Sequence, residues 1–223
     1  MIRQDKLYFL VHAMKYFNIS MPNDNLTMPI SIIRSILSNG SLDKEADRSL
    51  SNLLKKYSTT EEIFLGSFDD ILSSITPLDL SHDKSKIVVD FLVWCDNNFT
   101  DFNIDIINDW TNDEIINNMV LIKGISISTI YMIMCLSLNR DIFPVNDNII
   151  RVLKRFGVID KVESSEQLSI DLSPFVPIGR HKMFYVKLND FGVNICKENN
   201  PLCSSCSFDA HCSFYRSHSI SYN

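Results

Sequence analysis

The chain lacks features that define several classes of protein. It has only 6 glycines and 7 prolines in 223 residues, too few for the many turns of an all-β fold. Its longest uncharged run, residues 124–139, is shorter than the roughly 20 residues of a membrane-spanning helix. Charged residues interrupt the N-terminal segment before it can form the apolar core of a secretory signal. We therefore expect a cytoplasmic protein with no membrane partner.

An excess of positive charge is also missing. The chain has 21 Lys and Arg against 27 Asp and Glu, which gives a net charge of −6. A balance this acidic is unusual for a protein that binds nucleic acid. The hydrophobic fraction of 45% is typical of a globular protein, so the composition predicts one domain or two small ones that share a core.

Apolar residues recur at helical spacing along most of the chain. This periodicity predicts helices over residues 3–17, 29–38, 43–56, 83–97, 112–121, 127–139, 147–156 and 182–194. Turn signals such as Lys123-Gly124 and Gly157 separate them. No segment shows the strict alternation of a half-buried strand, so we predict an all-α fold.

Four of the six cysteines lie within 17 residues, in the pattern C-x6-C-x2-C-x5-C: Cys196, Cys203, Cys206 and Cys212. In the cytoplasm, such a group indicates metal ligands rather than disulfides. Four thiolates suit either zinc or a [4Fe-4S] cluster. Zinc ribbons commonly use two C-x2-C pairs, and this loop has one, so the spacing favours the cluster over zinc. Cys95 and Cys135 lie in apolar segments and are expected in the core.

Residues 117–138 have the pattern of two helices joined by a short turn. The first helix is expected to stop at Lys123-Gly124, and the second to start near Ile127. Backbone N–H groups at the start of the second helix, with the helix dipole, can bind a phosphate without reading base sequence. A turn at glycine is also common in helix pairs that bind no ligand, so the pattern alone leaves both interpretations open.

Three motifs occur in a characteristic order: this hairpin, the segment Val145-Asn146-Asp147-Asn148-Ile149-Ile150-Arg151-Val152, and the cysteine loop. Together they resemble the helix–hairpin–helix DNA glycosylases of the endonuclease III and MutY superfamily, over residues 25–215. The resemblance implies a two-lobed fold. Residues 25–142 would form a six-helix barrel lobe with the hairpin, and residues 1–24 and 143–223 a lobe that carries the [4Fe-4S] cluster.

The resemblance also implies a function in base-excision repair. The expected partner is double-stranded DNA with a damaged, modified or mismatched base, and the expected protein is a nucleoid-associated monomer. Members that also cleave the backbone use a lysine just before a threonine in the second hairpin helix. Ser128 precedes Thr129 here, which resembles the monofunctional MutY branch. The implied reaction is therefore hydrolysis of the N-glycosidic bond alone.

The position of the superfamily's catalytic aspartate is occupied by Asn146. A neutral amide cannot offset the positive charge of an oxocarbenium-like transition state as a carboxylate does. Three interpretations remain open. Asp147 supplies the charge, the protein binds altered DNA without cutting it, or an Asp→Asn change was introduced to trap a complex. The candidate catalytic residues are therefore Asn146, Asp147 and Ser128, and Asn146 is also expected to cap the helix that follows it.

Other positions depart from the MutY branch. Ser35 stands near the place of its glutamate, and Asn39 is the residue available to fill the gap left by a flipped base. Ser126 replaces the second glycine of the hairpin, which is expected to make the turn less easy. The side chains and backbone expected to contact DNA are those of Asn39, Lys123, Gly124, Ile125, Ser126 and Ser128.

The basic residues concentrate in the C-terminal half of the chain. Residues 150–187 contain seven of them: Arg151, Lys154, Arg155, Lys161, Arg180, Lys182 and Lys187. A basic face of this size, in an acidic protein, predicts weak and strongly salt-dependent DNA binding. A solvated helix face is the alternative interpretation.

Overall fold

The computed structural model describes residues 2–19, 21, 25–39, 41, 43–76, 78, 80–162 and 164–219. Its α-helices are α1 (Gln4–Ala13), α2 (Met28–Ser38), α3 (Asp43–Lys56), α4 (Thr60–Leu65), α5 (Phe68–Ile75), α6 (Ser81–Asn98), α7 (Asn112–Met119), α8 (Ile127–Leu136), α9 (Asp147–Phe156), α10 (Ser165–Leu172), α11 (His181–Asn194) and α12 (Ser213–Ser219). In these ranges the only β pairing is an isolated bridge between Ile2 and Ile159. The predicted all-α fold is confirmed.

The long helices and the eight-residue α7 follow the predicted periodicity, but the other short helices do not. Helices α4, α5, α10 and α12 have only six to eight residues each and were not predicted. Two turns of helix contain too few apolar repeats to define a period. None of the helices in the described ranges is long and apolar enough to cross a membrane.

The chain divides into two compact units. The central unit is Pro22–Arg140, and the terminal unit combines Met1–Met21 with Asp141–Asn223. Each unit has its own set of packed helices, so each is described separately.

The core of the central unit is built around α2 and α8. Pro29 stands at the start of α2, where its missing N–H costs no hydrogen bond. From Ile32 to Ser38 every residue of α2 is buried, and so is every residue of α8 from Thr129 onward. Helix α2 packs against α3, α6 and α8, which makes it the central element of this unit.

A buried lysine supports the C-terminal end of α2. The Lys84 side chain is only 4% exposed, and its ammonium group donates to the Leu37 carbonyl at 2.8 Å and to the Ser41 hydroxyl at 2.5 Å. The last carbonyls of a helix have no partners within the helix, and a cation near them is favourable. Lys84 therefore fixes the start of the loop that follows α2.

In the terminal unit, α9 and α11 cross closely at Gly192. A Cβ atom at this glycine would lie 3.2 Å from Asn148 Cβ and 3.2 Å from Val152 Cγ2, which is tighter than ordinary van der Waals contact. The close approach lets the Arg151 guanidinium donate to the Gly192 carbonyl at 2.7 Å. The absence of a side chain at this one position therefore sets the spacing of the two helices.

We predict that Gly192→Ala destabilises the terminal unit. The added methyl group forces α9 and α11 apart, and overpacking of this kind costs about 1–3 kcal/mol of unfolding free energy. Chemical denaturation followed by circular dichroism measures the loss. Asn194→Ala, at an exposed position of the same helix, is the control and should change stability by less than about 0.5 kcal/mol. Equal effects of the two substitutions would contradict the role of Gly192.

Candidate functional site

The hairpin between α7 and α8 forms, but its turn starts earlier than predicted. Helix α7 ends at Met119 rather than at Lys123, so residues 120–126 connect the helices. Gly124 has a φ of +78°, in the left-handed region that side chains disfavour. Lys123 and Gly124 are both exposed, and the apolar side chain of Leu121 is 73% exposed beside them.

Ser126 does not strain this turn, and that expectation was wrong. Its backbone is extended (φ −100°), so glycine is not required. The Ser126 hydroxyl caps α8 by accepting a hydrogen bond from the Thr129 N–H at 3.2 Å. Serine is among the residues most favoured at a helix N-cap, which explains why it can replace glycine here.

Asn39 is tied to the same helix start. Its side-chain amide donates to the buried Thr129 hydroxyl at 2.8 Å, and the Thr129 and Ser126 hydroxyls lie 2.9 Å apart. The loop after α2 and the hairpin are therefore joined by consecutive hydrogen bonds within the central unit. Ser128 lies half-buried in the first turn of α8, and Ile125 is half-buried in the turn.

Ser35, near the place of the MutY glutamate, lies inside the central unit. It is 1% exposed, and its hydroxyl is 2.8 Å from that of Ser137 on the residue after α8. Each hydroxyl therefore has a hydrogen-bond partner at a place with little access to water. A neutral pair of this kind supplies no ionised group for proton transfer.

In the terminal unit, Asn146 caps α9 as predicted. Its Oδ1 accepts the Ile149 N–H at 3.0 Å. Its Nδ2 donates to Asn189 Oδ1 at 3.0 Å and contacts the Tyr185 hydroxyl at 3.2 Å. Asn146 is therefore half-buried and bonded on both sides of its amide. Asp147, the first residue of α9, is exposed.

The expected basic face is only partly exposed. Arg151 donates to the Cys196 carbonyl at 3.0 Å, and Arg155 donates to the backbone carbonyls of Cys196 and Glu198. Lys187 is 9% exposed and donates to the Lys15 carbonyl at 3.0 Å. Three of the seven cations thus satisfy backbone carbonyls inside the unit, because these loop carbonyls have no partners in a helix.

All four cysteines of the loop line one cavity. Its other walls are mostly apolar, with Phe191, Phe208 and Phe214 among them. Two sulfur atoms accept hydrogen bonds: Cys206 Sγ from the Phe208 N–H at 3.4 Å, and Cys196 Sγ from Arg155 at 3.6 Å. Donors of this kind stabilise thiolate ligands.

The described cysteines do not form a site for a single ion. In the part of the chain that the structure describes, no three His, Cys, Asp or Glu side chains converge closely enough to hold one metal ion. A tetrahedral zinc site needs sulfur atoms about 2.3 Å from one point. Burial raises the pKa of the Cys203 and Cys206 thiols, and the neighbouring cysteines raise it further. The four cysteines border one cavity without meeting at a single point, and this arrangement suits a multi-iron cluster with one thiolate on each iron better than a single ion.

Sequence reasoning missed two residues of the Asn146 site. Asn189 is 3% exposed and Tyr185 is 1% exposed, both on the face of α11 that is directed at Asn146. Their spacing of four residues places them on one side of the helix. An asparagine on the buried face of a helix is rare without a partner, and this was the available signal.

No family model matches the chain, but curated relatives do. It is 20% identical to the endonuclease III of Thermotoga maritima over 185 residues, which is 83% of this chain and 82% of that protein. It is 24% identical to a thymine/uracil-DNA glycosylase of Methanothermobacter thermautotrophicus over 165 residues, 72% of this chain and 70% of the relative.

Solved structures share the fold. A non-covalent endonuclease III–DNA complex matches with a TM-score of 0.79 at 16% identity, covering 99% of this chain and 100% of that one. A thermostable thymine-DNA glycosylase matches with a TM-score of 0.68 at 18% identity, covering 96% and 95%. The chain therefore has the endonuclease III fold. Its resemblance to the helix–hairpin–helix DNA glycosylase superfamily is confirmed by the named relatives together with the fold.

We predict that Ser126→Ala destabilises the hairpin by about 1 kcal/mol, because the first turn of α8 loses its cap. Chemical denaturation of the two proteins measures this difference. Ser126→Asn keeps a side-chain acceptor at the N-cap and should restore most of the stability. If asparagine and alanine are equally destabilising, the capping hydrogen bond does not stabilise this turn.

Proposed function

We propose that this protein is a monofunctional DNA glycosylase. It binds double-stranded DNA with a damaged, modified or mismatched base, turns that base out of the helix and hydrolyses its N-glycosidic bond. We further propose that it acts as a monomer in the cytoplasm, at the nucleoid. The similarity to proteins named endonuclease III and thymine/uracil-DNA glycosylase supports the class of reaction.

The observation that carries the proposal is the exposed hairpin turn at Lys123 and Gly124. The backbone N–H groups at the start of α8 carry the positive end of the helix dipole, and Ser126 caps one of them. Together with the exposed Lys123 ammonium they can hold a DNA phosphate oxygen. Such contacts position the duplex without selecting a base, so the base is chosen elsewhere.

The chemistry at the sugar needs a negative charge. Asn146 provides none, and its amide is already bonded to Asn189 and Tyr185. The exposed carboxylate of Asp147 is therefore the group that we assign to stabilise the oxocarbenium-like transition state and the attacking water. Ser128 replaces the amine nucleophile, so the reaction stops at base release and leaves the DNA backbone intact.

A second candidate function is recognition of altered DNA without base release. One observation favours it: the residue at the superfamily's aspartate position is an uncharged amide that also serves as a helix cap. Such a protein would use the same hairpin and differ only in lacking turnover.

We predict that the purified protein releases a base from at least one duplex in a panel of modified and mismatched substrates at low salt. Asp147→Asn should lower the single-turnover rate by about 100-fold or more, because it removes the charge at the sugar. Asp171→Asn, at an exposed carboxylate of α10, should leave the rate unchanged.

The remaining outcomes separate the two candidates. Tight and selective binding of one substrate with no base release would support recognition alone. Release only by an Asn146→Asp variant would show that position 146 is the missing carboxylate and overturn the assignment of Asp147. Neither binding nor release by any variant would contradict both functions.

Lys123→Ala should weaken DNA binding about equally for all duplex sequences. The plot of log affinity against log salt concentration should become shallower by about 0.9, because one phosphate contact is lost. Fluorescence anisotropy over a salt series measures the slope. Lys55→Ala, at an exposed position of α3, is the matched control, and an equal change in both slopes would remove Lys123 from the interface.

We also propose that Cys196, Cys203, Cys206 and Cys212 hold a [4Fe-4S] cluster. The shared cavity and the N–H donors to sulfur support this assignment. When bound, the cluster crosslinks the C-terminal loop and supplies redox capacity at that place. The chain's own Arg155 would fix the loop independently, through its bonds to the carbonyls of Cys196 and Glu198.

Iron analysis tests this assignment. The protein purified without oxygen should contain about four iron ions and show the visible absorption of an iron–sulfur cluster. Cys203→Ser should lose both signals and unfold at a lower temperature. Cys95→Ala, in the core of the central unit, should keep full iron. About one zinc ion and no iron would overturn the cluster.

A further inference from the structure

The polar side chains beside Asn146 form a series of hydrogen bonds whose direction is fixed at one end by Arg151. A guanidinium group can only donate, so Asn148 must present Oδ1 to Arg151 Nη2, which lies at 2.8 Å. Asn148 therefore turns its Nδ2 toward Asn189, whose Oδ1 lies at 3.3 Å. Arg151 is itself held by the Gly192 and Cys196 carbonyls, so it cannot easily leave this position.

The direction is fixed at the other end by a backbone group. The Ile149 N–H can only donate, and it points at Asn146 Oδ1. The Asn146 side chain therefore directs its Nδ2 at Asn189 Oδ1 and at the Tyr185 hydroxyl. Two obligate donors thus determine the orientation of all three amides, and Asn189 Oδ1 accepts from both sides.

An ionised carboxylate at position 146 conflicts with this arrangement. It would bring a negative oxygen against Asn189 Oδ1, which is buried and has little access to water. Rotating the Asn189 amide would bring its Nδ2 against Asn148 Nδ2, whose orientation Arg151 fixes. An amide or a protonated acid at position 146 satisfies every partner, whereas an ionised carboxylate leaves at least one unsatisfied.

We propose that Asn189 is a positioning residue that reserves position 146 for a neutral hydrogen-bond donor. The inference deepens the proposed function and rests on it in one respect: position 146 meets the DNA substrate. Under this proposal the contacts around position 146 favour an amide there. A change of Asn146 to aspartate alone does not produce an ionised group at neutral pH.

Thermal unfolding of four proteins tests the proposal: the wild type, Asn146→Asp, Asn189→Leu and the double variant. Leucine has the same branching and the same number of side-chain heavy atoms as asparagine, although it is larger, and it removes the acceptor. At pH 8 we expect Asn146→Asp to lower Tm by about 8–16 °C in the Asn189 background, because a carboxyl group that stays protonated at neutral pH has a folded-state pKa at least about 3 above its unfolded value. In the Asn189→Leu background, the same change should lower Tm by less than half as much.

The pH dependence gives a readout that simple packing damage would not produce. If Asn189 holds the introduced carboxyl group protonated, its pKa in the folded state lies above the unfolded value of about 3.9. The folded state then binds more protons than the unfolded state, so stability falls as pH rises between these two pKa values. The Tm deficit of Asn146→Asp should therefore grow from pH 4.5 to pH 8, and the double variant should show little growth relative to Asn189→Leu.

The other ionisable groups near position 146 are shared by all four proteins. They are the Tyr185 phenol in contact with Asn146, the Arg151 guanidinium bonded to Asn148, and the carboxylates of Asp147 and Asp190, which are neighbours in sequence. The N-cap position and the dipole of α9 are also unchanged. The difference in Tm deficit between the Asn189 and Asn189→Leu backgrounds therefore reports the effect of residue 189 alone.

Two further substitutions keep the test decisive if leucine disturbs the core. Asn189→Ser retains a hydroxyl that can donate to the carboxylate while accepting from Asn148, so it should also reduce the Tm deficit. Asn194→Leu, at an exposed position of α11, should not reduce it. The proposal would be overturned if the Tm deficit of Asn146→Asp changed with pH in the same way in the Asn189 and Asn189→Leu backgrounds and Asn189→Ser did not reduce it.

Base release separates this inference from the proposed function. If the coupling in Tm is found and no protein releases a base, Asn189 acts as proposed and the glycosylase function fails. If base release is found and the coupling is absent, the function stands and the role of Asn189 is rejected. If both hold, the double variant should release base at least about 10-fold faster than Asn146→Asp alone, since its carboxylate is ionised.

Discussion

The close approach of α9 and α11 at Gly192 is the constraint on which the terminal unit depends. Because no side chain separates the helices there, Arg151 reaches the Gly192 carbonyl and Asn148 reaches Asn189. The same helix pair holds Asn146 at one end and the beginning of the cysteine loop at the other. A wider separation would break the polar contacts of both sites together, so their geometries are not independent.

Arginines of α9 explain how a loop with little regular structure is held. The carbonyls of Cys196, Lys197 and Glu198 lie outside any helix and need donors from elsewhere. Arg155 provides several N–H groups from one planar side chain, which also stacks over the Phe214 ring at 4.9 Å. Arg151 and Arg155 are therefore half-buried, and their side chains support the loop instead of standing fully in solvent.

The sequence was informative where a signal is local and repeated. Apolar periodicity located the longer helices, and the Asn146 cap followed from the known preference for asparagine at that position. The end of α7 was misplaced because residues 120–123 keep an apolar pattern while the backbone already turns. Ser126 was misjudged because φ depends on its place at a helix start, which composition does not reveal.

The partners of Asn146 could not be predicted in the same way. Asn189 follows Asn146 by more than 40 residues, and its contact depends on how two helices cross. A polar residue on a buried helix face indicates a partner without identifying it. The orientation of each amide then depends on groups further along, at Arg151 and at the Ile149 N–H. Which side of each amide donates and which accepts is therefore decided only when the chain has folded.

The three linked amides also bear on how this chain can evolve. Substitution of Asn146 alone meets a buried acceptor, and substitution of Asn189 alone leaves Asn146 and Asn148 without the oxygen that they share. Under the proposal each single change costs stability and the double change costs less than the sum of the two, so the two positions are expected to be epistatic. We expect that a lineage could acquire a carboxylate at position 146 most readily after a permissive substitution at position 189. We therefore expect residues 146 and 189 to change together among related sequences.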